Sequence, residues 1–302
     1  MLVGPGFWVK VRPLTGQTVP APSGEHDGEG SGPWAWVAPP WARINVVRLT
    51  TWNVNSIRTR VGRVQQWMDR HQPDVVMLQE TKCADRDMPY ADLDTENYEW
   101  AHFGVDHYNG VAIGSRVGLD AVTLGFGGRN RPPYDEARLL SATCGGVRLH
   151  NVYVPNGREL DDPHYLFKLV WLERLRSVID TTTPTVVAGD LNVAPADIDI
   201  YDPARWRRRT HASPPERAAI NALLDLGLRD VTREHHAGPG IYTWWGYRPG
   251  MFASNRGLRI DLVLCSDHLA DATTEVVIDI EERGGERPSD HAPVTVVFER
   301  PA

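Results

Sequence analysis

The sequence predicts an α/β fold in which two mixed β-sheets pack face to face with helices on the outside. Short runs rich in Val, Ile, Leu and aromatic residues recur from residue 46 onward, and several follow one another with only Gly, Asn or Arg turns between them. This is the pattern of antiparallel hairpins. Longer segments instead carry apolar residues at helical spacing. Because strands and helices interleave without strict β-α-β alternation, mixed sheets are favoured over a purely parallel sheet.

The folded region is predicted to open with a strand, a helix and a second strand. Val46–Asn53 is strand-like, Arg58–Arg70 has the apolar spacing of a helix, and Asp74–Glu80 is a buried strand that ends in a carboxylate. The remaining predicted elements are strands over Tyr98–Phe103, Gly110–Ser115, Ala137–Thr143, Val147–Val154, Val276–Ile280 and Val294–Phe298, a strand that ends at Asp190, an alternating segment over Leu258–Leu264, and helices over Pro163–Ile179 and Pro215–Leu226. Asp161 or Asp162 is placed to cap the first of these two helices.

Residues 1–45 differ from the rest of the chain in composition. They are rich in Gly, Pro and Ser, and no helical or strand period survives the prolines. We expect a mostly disordered extension followed by one catalytic domain over residues 46–302. The tryptophans at 34, 36 and 41 leave open a docking motif, although a poorly ordered tail or an upstream start codon accounts for this composition without one.

Length and composition exclude several classes of protein. The 302 residues, 41% hydrophobic and 24% charged, describe an ordinary globular protein. There is no apolar run of about 18 residues and no secretory signal, so no membrane contact is expected. We also expect a monomer in the cytoplasm. Three distant cysteines form neither a disulfide framework nor a zinc motif. The net charge of −7 hides a basic patch in which Arg205 and residues 207–209 surround Trp206.

Residues 184–195 are predicted to carry the chemistry. Val186 and Val187 indicate a short buried strand, Gly189 permits a turn, and Asp190 and Asn192 follow. If the extended geometry persists, the two polar side chains point the same way. The alternative is that Asp190 and Asn192 serve only as turn formers.

Polar residues also end or interrupt most of the other buried strands. The whole set is Asn53, Glu80, Tyr153, Asp190, Asn192, Asp261, Asp290 and His291. Charged side chains are seldom buried without partners, so residues placed in this way most economically share one site.

This set suits phosphodiester hydrolysis. Glu80 and Asp290, assisted by Asn53, offer the oxygen ligands that Mg²⁺ prefers, whereas zinc would need more nitrogen or sulfur donors. Asp190 is the candidate to activate water, and Asp261 is the candidate to hold His291 cationic. Donors to the phosphate or the leaving group are expected from Asn192, Tyr153 and His291.

A Ser-His-Asp hydrolase is the rival interpretation, because His291 and Asp261 could serve Ser289. Ser289 lies only two residues before His291 in a Pro-Ser-Asp-His turn, and the sequence contains no Gly-x-Ser-x-Gly elbow. Both observations count against this rival.

Six stretches, in order, carry a resemblance to a known family. They are Leu49-Thr50-Thr51-Trp52-Asn53-Val54-Asn55-Ser56-Ile57-Arg58, Leu78-Gln79-Glu80-Thr81-Lys82, Tyr153-Val154-Pro155-Asn156-Gly157, Gly189-Asp190-Leu191-Asn192, Asn255-Arg256-Gly257-Leu258-Arg259-Ile260-Asp261 and Ser289-Asp290-His291-Ala292-Pro293-Val294. The series resembles the exonuclease III family of abasic-site endonucleases, within the endonuclease/exonuclease/phosphatase superfamily, over about residues 46–299.

The resemblance implies a four-layer α/β sandwich that depends on Mg²⁺ or Mn²⁺. The implied substrate is double-stranded DNA with abasic sites or blocked 3′ ends. The implied activities are incision 5′ to the abasic site, 3′→5′ exonuclease, and 3′-phosphatase or phosphodiesterase activity. Asn53, Glu80 and Asp290 would lie at the metal, while Tyr153, Asp190, Asn192, Asp261 and His291 would perform the chemistry.

The resemblance also implies which residues contact DNA. Positions expected near the DNA backbone are Arg58, Lys82, Asn156, Arg158 and Lys168, and Trp244 would border the abasic pocket. Asn55 matches a position near the DNA and metal that is an aspartate in some relatives, which favours one metal ion over two. Gly246 and residues 251–254 depart from the more acidic pattern of relatives, so the loop they form and the balance of activities are open. Trp245, adjacent to Trp244 in a strand-like segment, is expected in the core.

Two further hypotheses remain beside the DNA-repair nuclease. One is a phosphatase or phosphodiesterase that acts on a lipid or a small molecule and is indifferent to Trp244. The other is a non-catalytic DNA-binding relative. A relative of that kind would be expected to have lost Glu80, Asp190 or His291, and all three are present.

Overall fold

A computed structural model of the chain describes residues 46–93, 97–127 and 136–299. The extension predicted over residues 1–45 lies outside the described residues. The strands are β1 Val46–Asn53, β2 Val75–Gln79, β3 Glu99–Phe103, β4 Val111–Ser115, β5 Asp120–Leu124, β6 Leu139–Cys144, β7 Val147–Tyr153, β8 Thr185–Asp190, β9 Leu228–Asp230, β10 Asp261–Ser266, β11 Thr273–Ile278 and β12 Val294–Glu299. The α-helices are α1 Ile57–His71, α2 Pro163–Arg176, α3 Pro203–Trp206, α4 Pro214–Leu224, α5 Val231–His235 and α6 Asp267–Asp271.

The strands form two six-stranded sheets of the same design. Sheet A has the order β11-β12-β1-β2-β4-β3, and sheet B has the order β5-β6-β7-β8-β10-β9. In each sheet the two central strands are parallel, β1 with β2 and β7 with β8, and their other neighbours are antiparallel. The helix between the strands of each parallel pair, α1 or α2, makes the crossover that a parallel connection requires. The prediction of two mixed sheets is therefore confirmed.

The sheets pack against each other through their inner faces, and helices cover the outer faces. The inner core joins Leu49 and Met77 of sheet A to Leu149 and Val186 of sheet B. The outer face of sheet A forms a second apolar cluster with α1, and the outer face of sheet B forms a third with α2 and α4. The order helix, sheet, sheet, helix is the four-layer sandwich that the resemblance implied.

Helix starts follow local chemistry. The side chain of Asp162 accepts a hydrogen bond from the His164 N–H, so Asp162 is the cap of α2, and Pro163 occupies the first turn. Ser213 caps α4 and shares a reciprocal capping box with Glu216.

Two strands and three short helices were not predicted. Strand β5 is half exposed on the edge of sheet B and lacks a clear alternation, while β9 has only three residues. Helices α3, α5 and α6 span four or five residues, which is too short for a helical period to show in the sequence. Within the described ranges, no helix is long and apolar enough to cross a membrane.

Candidate active site

The predicted site residues meet where the parallel pairs of both sheets end. Asn53 ends β1, Glu80 follows β2, Tyr153 ends β7 and Asp190 ends β8. Parallel strands bring their carboxyl ends to one edge, so each sheet delivers two polar side chains to the same place. The Asn53 amide nitrogen joins the sheets, because it lies 2.8 Å from Glu80 Oε1 and 2.9 Å from Asp190 Oδ2.

Asn53 acts here as a hydrogen-bond donor to carboxylates. Its side-chain oxygen accepts the backbone N–H of Asn55 at 3.0 Å, which fixes the amide orientation. The amide nitrogen therefore faces Glu80 and Asp190, where the sequence interpretation placed a metal-ligating oxygen. In this arrangement Asn53 holds the two carboxylates in place, and direct ligation of a metal by Asn53 stays a prediction.

Glu80 lies in a turn of unusual backbone geometry. Glu80 and Lys82 both have positive φ angles, 52° and 51°, in the left-handed region. Lys82 Nζ lies 2.7 Å from Glu80 Oε2 and also donates to Asn55 Oδ1. The turn thus places one carboxylate oxygen toward Asn53 and the other toward a cationic partner.

The backbone turns sharply after Asp190. Asn192 has a φ of 53°, and Asp190 Oδ1 accepts the Asn192 N–H at 2.9 Å in an Asx-type turn. The extended geometry does not persist past Asp190, so the condition under which both side chains would point the same way is not met. The turn uses only Oδ1 of Asp190, and Oδ2 faces Asn53 and His291. Asn192 donates to the Val154 carbonyl at 2.9 Å.

Asp261 and His291 form the predicted pair. Strand β10 runs antiparallel to β8 with Asp261 opposite Asp190, and His291 Nδ1 lies 2.8 and 3.0 Å from the two Asp261 oxygens. Burial alone would lower the pKa of His291, but the charges of Asp261 and Asp190 overcome it and raise the pKa to about 10. His291 is therefore cationic at neutral pH, with Nε2 3.7 Å from Asp190 Oδ2.

Burial raises the pKa of Asp190 to about 7, against the lowering effect of His291. A carboxyl group with a pKa near neutrality is suited to accept a proton during turnover.

The phenol of Tyr153, in contrast, keeps its proton. Burial and then the charge of Glu80 raise its pKa well above the ordinary value, so Tyr153 remains a hydrogen-bond donor. The Arg138 guanidinium stacks 4.6 Å from its ring centre.

Asp290 is held on both oxygens. Oδ1 accepts from Asn55 Nδ2 at 2.9 Å and Oδ2 accepts from Trp244 Nε1 at 3.0 Å. Burial opposes ionisation, but His291 and these donors lower the pKa of Asp290.

Ser289, the nucleophile of the rival interpretation, instead donates to the Asn53 carbonyl at 2.6 Å and accepts the His291 N–H. Ser289 is thus committed to holding the loop.

The donor set fits a divalent cation. Glu80, Asp190 and His291 each offer a ligand atom, and these atoms lie within 4.8 Å of one another. Because His291 retains its proton, carboxylate oxygen is the better ligand, above all that of Glu80, and carboxylate oxygen favours Mg²⁺ or Mn²⁺ over zinc. The sequence interpretation groups Glu80 with Asp290 at the metal, and that grouping stays a prediction.

Several residues expected near DNA are open to solvent around the site. Arg58, Asn156 and Arg158 are exposed, and Lys82 is partly exposed. Asn156 Nδ2 lies 3.3 Å from Asn192 Oδ1, so this rim is continuous with the catalytic turn.

Lys168 does not belong to this rim. Its side chain has no exposed surface and its Nζ pairs with the equally buried Glu216. Nζ also donates to the backbone carbonyls of Asn192, at 2.7 Å, and Asn156, at 3.2 Å. A fully buried ammonium cannot contact the DNA backbone in this conformation, so the expectation of a direct contact is corrected. Lys168 instead stabilises the turn at Asn192 by a hydrogen bond from the protein interior.

Lys168→Met should lower the free energy of unfolding by roughly 3–5 kcal/mol, because it leaves Glu216 charged and unpaired in the interior. Urea unfolding of the variant and the wild type measures this difference. Combining Lys168→Met with Glu216→Leu should recover part of the loss, since no lone charge then remains buried. A loss below about 1 kcal/mol for Lys168→Met, the range of exposed pairs, would contradict a buried ion pair.

An aromatic cavity of ≈ 350 Å³ lies beside Asp290. Its lining includes Trp244, Trp206 and Tyr247 together with Arg205, Arg209 and Arg248. Trp244 is partly buried, and the Trp206 ring packs edge-on against it at 6.5 Å. Trp245 is 2% exposed, as expected of a core residue.

Sequence reasoning missed Thr243 and the roles of Trp206 and Tyr247. The Thr243 hydroxyl accepts the backbone N–H groups of Ile260 and Asp261, both at 3.1 Å, and so positions the partner of His291. No pattern in the sequence marks this contact. For Trp206 a signal existed, since it lies within the Arg-rich patch.

Comparison with known proteins agrees with this geometry. Residues 50–291 match the Endonuclease/Exonuclease/phosphatase family. The chain belongs to this family, whose match spans every residue of the site from Asn53 to His291.

Proteins similar to this chain show which kind of enzyme within the family it resembles. Exodeoxyribonuclease III of Haemophilus influenzae is 31% identical over 269 residues, covering 83% of this chain and 100% of the relative. An AP endonuclease of Archaeoglobus fulgidus is 36% identical with a TM-score of 0.80, over 83% of this chain and 99% of that chain. A 3′ phosphatase from Neisseria, solved with a product DNA hairpin, is 41% identical with a TM-score of 0.80, over 84% of this chain and 99% of that chain. Within its family the chain is a hydrolytic DNA-repair nuclease of the exodeoxyribonuclease III branch.

Proposed function

We propose that the protein uses Mg²⁺, or Mn²⁺ in its place, to hydrolyse the phosphodiester 5′ to an abasic site in double-stranded DNA. The same site would act as a 3′→5′ exonuclease and remove blocking groups such as 3′ phosphates. We further propose a cytoplasmic monomer. The observation that carries the substrate assignment is the Trp244 cavity, which borders Asp290 at the edge of the catalytic group.

Each site residue has a task in this reaction. A bound divalent ion at Glu80 would neutralise phosphate charge and polarise the scissile bond. Asp190, with a pKa of about 7, would take the proton of the attacking water. His291, kept cationic by Asp261, would donate to a non-bridging oxygen through Nε2.

The remaining donors would serve the phosphate and the leaving group. Tyr153 stays protonated and can donate to the phosphate or support the departing oxygen. Asn192 has a second amide hydrogen beyond the one given to Val154. Lys82, Arg58 and Arg158 supply positive charge for the flanking phosphates.

The cavity suits a sugar that lacks its base. An abasic nucleotide has no base to stack, so it can leave the helix at a lower cost than a normal nucleotide. Indole and phenol rings would then provide apolar walls for the deoxyribose, and the Arg residues of the lining would supply positive charge for its phosphates. A nucleotide with its base attached is larger and loses stacking when it enters.

Trp244→Ala should weaken incision at an abasic site by about 1–3 kcal/mol in kcat/KM, the range for stacking against an aromatic ring. Removal of a 3′ phosphate should fall less, because that reaction needs no extruded sugar. The two rates are compared on matched duplexes at one salt concentration, since phosphate contacts change affinity with salt.

Trp206→Ala is the matched control, because Trp206 packs against Trp244 without a hydrogen bond to Asp290. It should reduce abasic-site incision by a smaller factor in the same direction. Equal losses of both activities in Trp244→Ala, or a large fall in its melting temperature, would show that Trp244 is structural. Strong 3′-phosphatase activity with no abasic-site incision in the wild type would favour the activity named for the Neisseria enzyme.

A further inference from the structure

We propose that Arg60 is a positioning residue of the active site, which fastens together the loops that carry Asn53–Asn55 and Asp290–His291. The proposal rests on the hydrolase site described above. Arg60 lies on α1, in the first turns after the β1 loop, and its side chain is partly buried.

The Arg60 guanidinium donates to five acceptors, which lie in three segments of the chain. Nη1 donates to the carbonyls of Val54, at 3.2 Å, and Asn55. Nε donates to the Arg287 carbonyl at 3.1 Å, and Nη2 to the Pro288 carbonyl at 3.0 Å. Nη2 also lies 3.0 Å from the Tyr247 hydroxyl. The rigid fork of an arginine can serve such a set, whereas the single ammonium of lysine cannot.

The segments that Arg60 holds together contain residues with strained backbone conformations. Asn55, Ser56 and Arg287 have φ angles of 43°, 92° and 45°, all in the left-handed region although none is glycine. Such conformations persist only when surrounding contacts hold them, and they concentrate at functional sites. The Asn55 and Arg287 carbonyls are themselves acceptors of Arg60.

The residues that Arg60 holds make further hydrogen bonds to the groups of the active site. Asn55 Nδ2 donates to Asp290 Oδ1 at 2.9 Å and to the Tyr247 hydroxyl at 3.3 Å. Ser289, directly after Pro288, donates to the carbonyl of Asn53. Arg60 thus sets the spacing between Asn53, which orders Glu80 and Asp190, and Asp290, which accepts a hydrogen bond from Trp244.

Other arginines of α1 serve a different purpose. Arg63 and Arg70 pair with the carboxylate of Glu282, which attaches the helix to the segment Ile280–Arg283. Arg70→Lys changes the same residue type on the same helix without touching the catalytic loops. It is therefore a matched control for Arg60→Lys.

The test compares full-length wild type, Arg60→Lys, Arg60→Met and Arg70→Lys. Mn²⁺ binding is measured by electron paramagnetic resonance in the absence of DNA, and thermal unfolding and 3′-phosphatase rates are measured in parallel. Arg60→Lys should weaken Mn²⁺ binding by roughly 10- to 100-fold, the range for groups that orient metal ligands. Its melting temperature should stay close to that of Arg70→Lys.

Mn²⁺ binding by Arg60→Lys equal to that of Arg70→Lys would overturn the proposal. A loss of rate in proportion to the unfolded fraction would also overturn it. If Arg60→Met fails to fold, the comparison of Arg60→Lys with Arg70→Lys still tests the proposal. The proposed function is judged separately by the wild-type rates on abasic and 3′-phosphate substrates. The Arg60 inference is judged by the ratio of wild-type to variant Mn²⁺ affinity, so failure of either is recognised on its own.

Discussion

Asp190→Asn should lower the rate of phosphodiester cleavage by at least about 10³-fold, within the range for loss of a general base. The amide has nearly the volume of the carboxylate and can still accept the Asn192 N–H, so the turn after β8 is retained. It cannot take a proton from water at neutral pH. Single-turnover incision of a labelled duplex with one abasic-site analogue measures the chemical step directly.

DNA affinity should be preserved in Asp190→Asn, as measured by gel shift in EDTA. Asp199→Asn provides the control, because Asp199 is an equally buried carboxylate whose ion pairs are with Arg259 and Arg233 rather than with His291. That variant should lose stability and keep the rate per folded molecule. If the affinity of Asp190→Asn for DNA falls together with its rate, Asp190 is a structural residue.

Glu80→Gln should lower metal-supported turnover by about 10²-fold or more and raise the Mg²⁺ concentration needed for half-maximal rate. A bound metal contributes several kcal/mol of charge stabilisation, and about 1.4 kcal/mol corresponds to a factor of ten. The side chain can still accept from Asn53 at Oε1, but it loses the negative charge that attracts the ion and pairs with Lys82. Incision rates are measured against Mg²⁺ concentration.

Glu173→Gln is the control for Glu80→Gln, since Glu173 is exposed on α2 and forms an ion pair with the neighbouring Arg176. Its Mg²⁺ dependence should match that of the wild type. Unchanged half-maximal Mg²⁺ and unchanged rate in Glu80→Gln would remove Glu80 from the metal site. Repetition with Mn²⁺ would show which ion the site uses better.

Strand-end polar residues could be predicted because their signal is local. A carboxylate directly after a buried apolar run, as at Glu80 and Asp190, is costly unless it has partners, and this rule needs only the sequence. The Asp261–His291 pair followed from the same rule, and the structure brings the two within 3.0 Å. Because the parallel central strands, β1 with β2 and β7 with β8, end at the same place, residues that are far apart in the sequence meet there.

Contacts that depend on tertiary packing were beyond the sequence. Lys168 occupies a position expected to face DNA, but α4 brings Glu216 against it and buries both charges. The direction of the Asn53 amide depends on one hydrogen bond from the Asn55 backbone. The turn at Asn192 depends on a side chain that competes with strand geometry. Neither the order nor the composition of the residues in the sequence shows these three contacts.

The place of β12 in sheet A has a consequence for how the enzyme is made. Strand β1 lies between β2 and β12, and Thr50 meets Thr295, which is 245 residues away in the chain. At roughly 5–20 residues per second, a ribosome needs about 12–50 s to synthesise that interval. Until β12 emerges, β1 has an unpaired edge, and Asp290 and His291 are not yet in place. We therefore expect a chain that ends before β12 to be inactive and prone to aggregation, because the edge of β1 stays unpaired and the loop of Asp290 and His291 is not anchored.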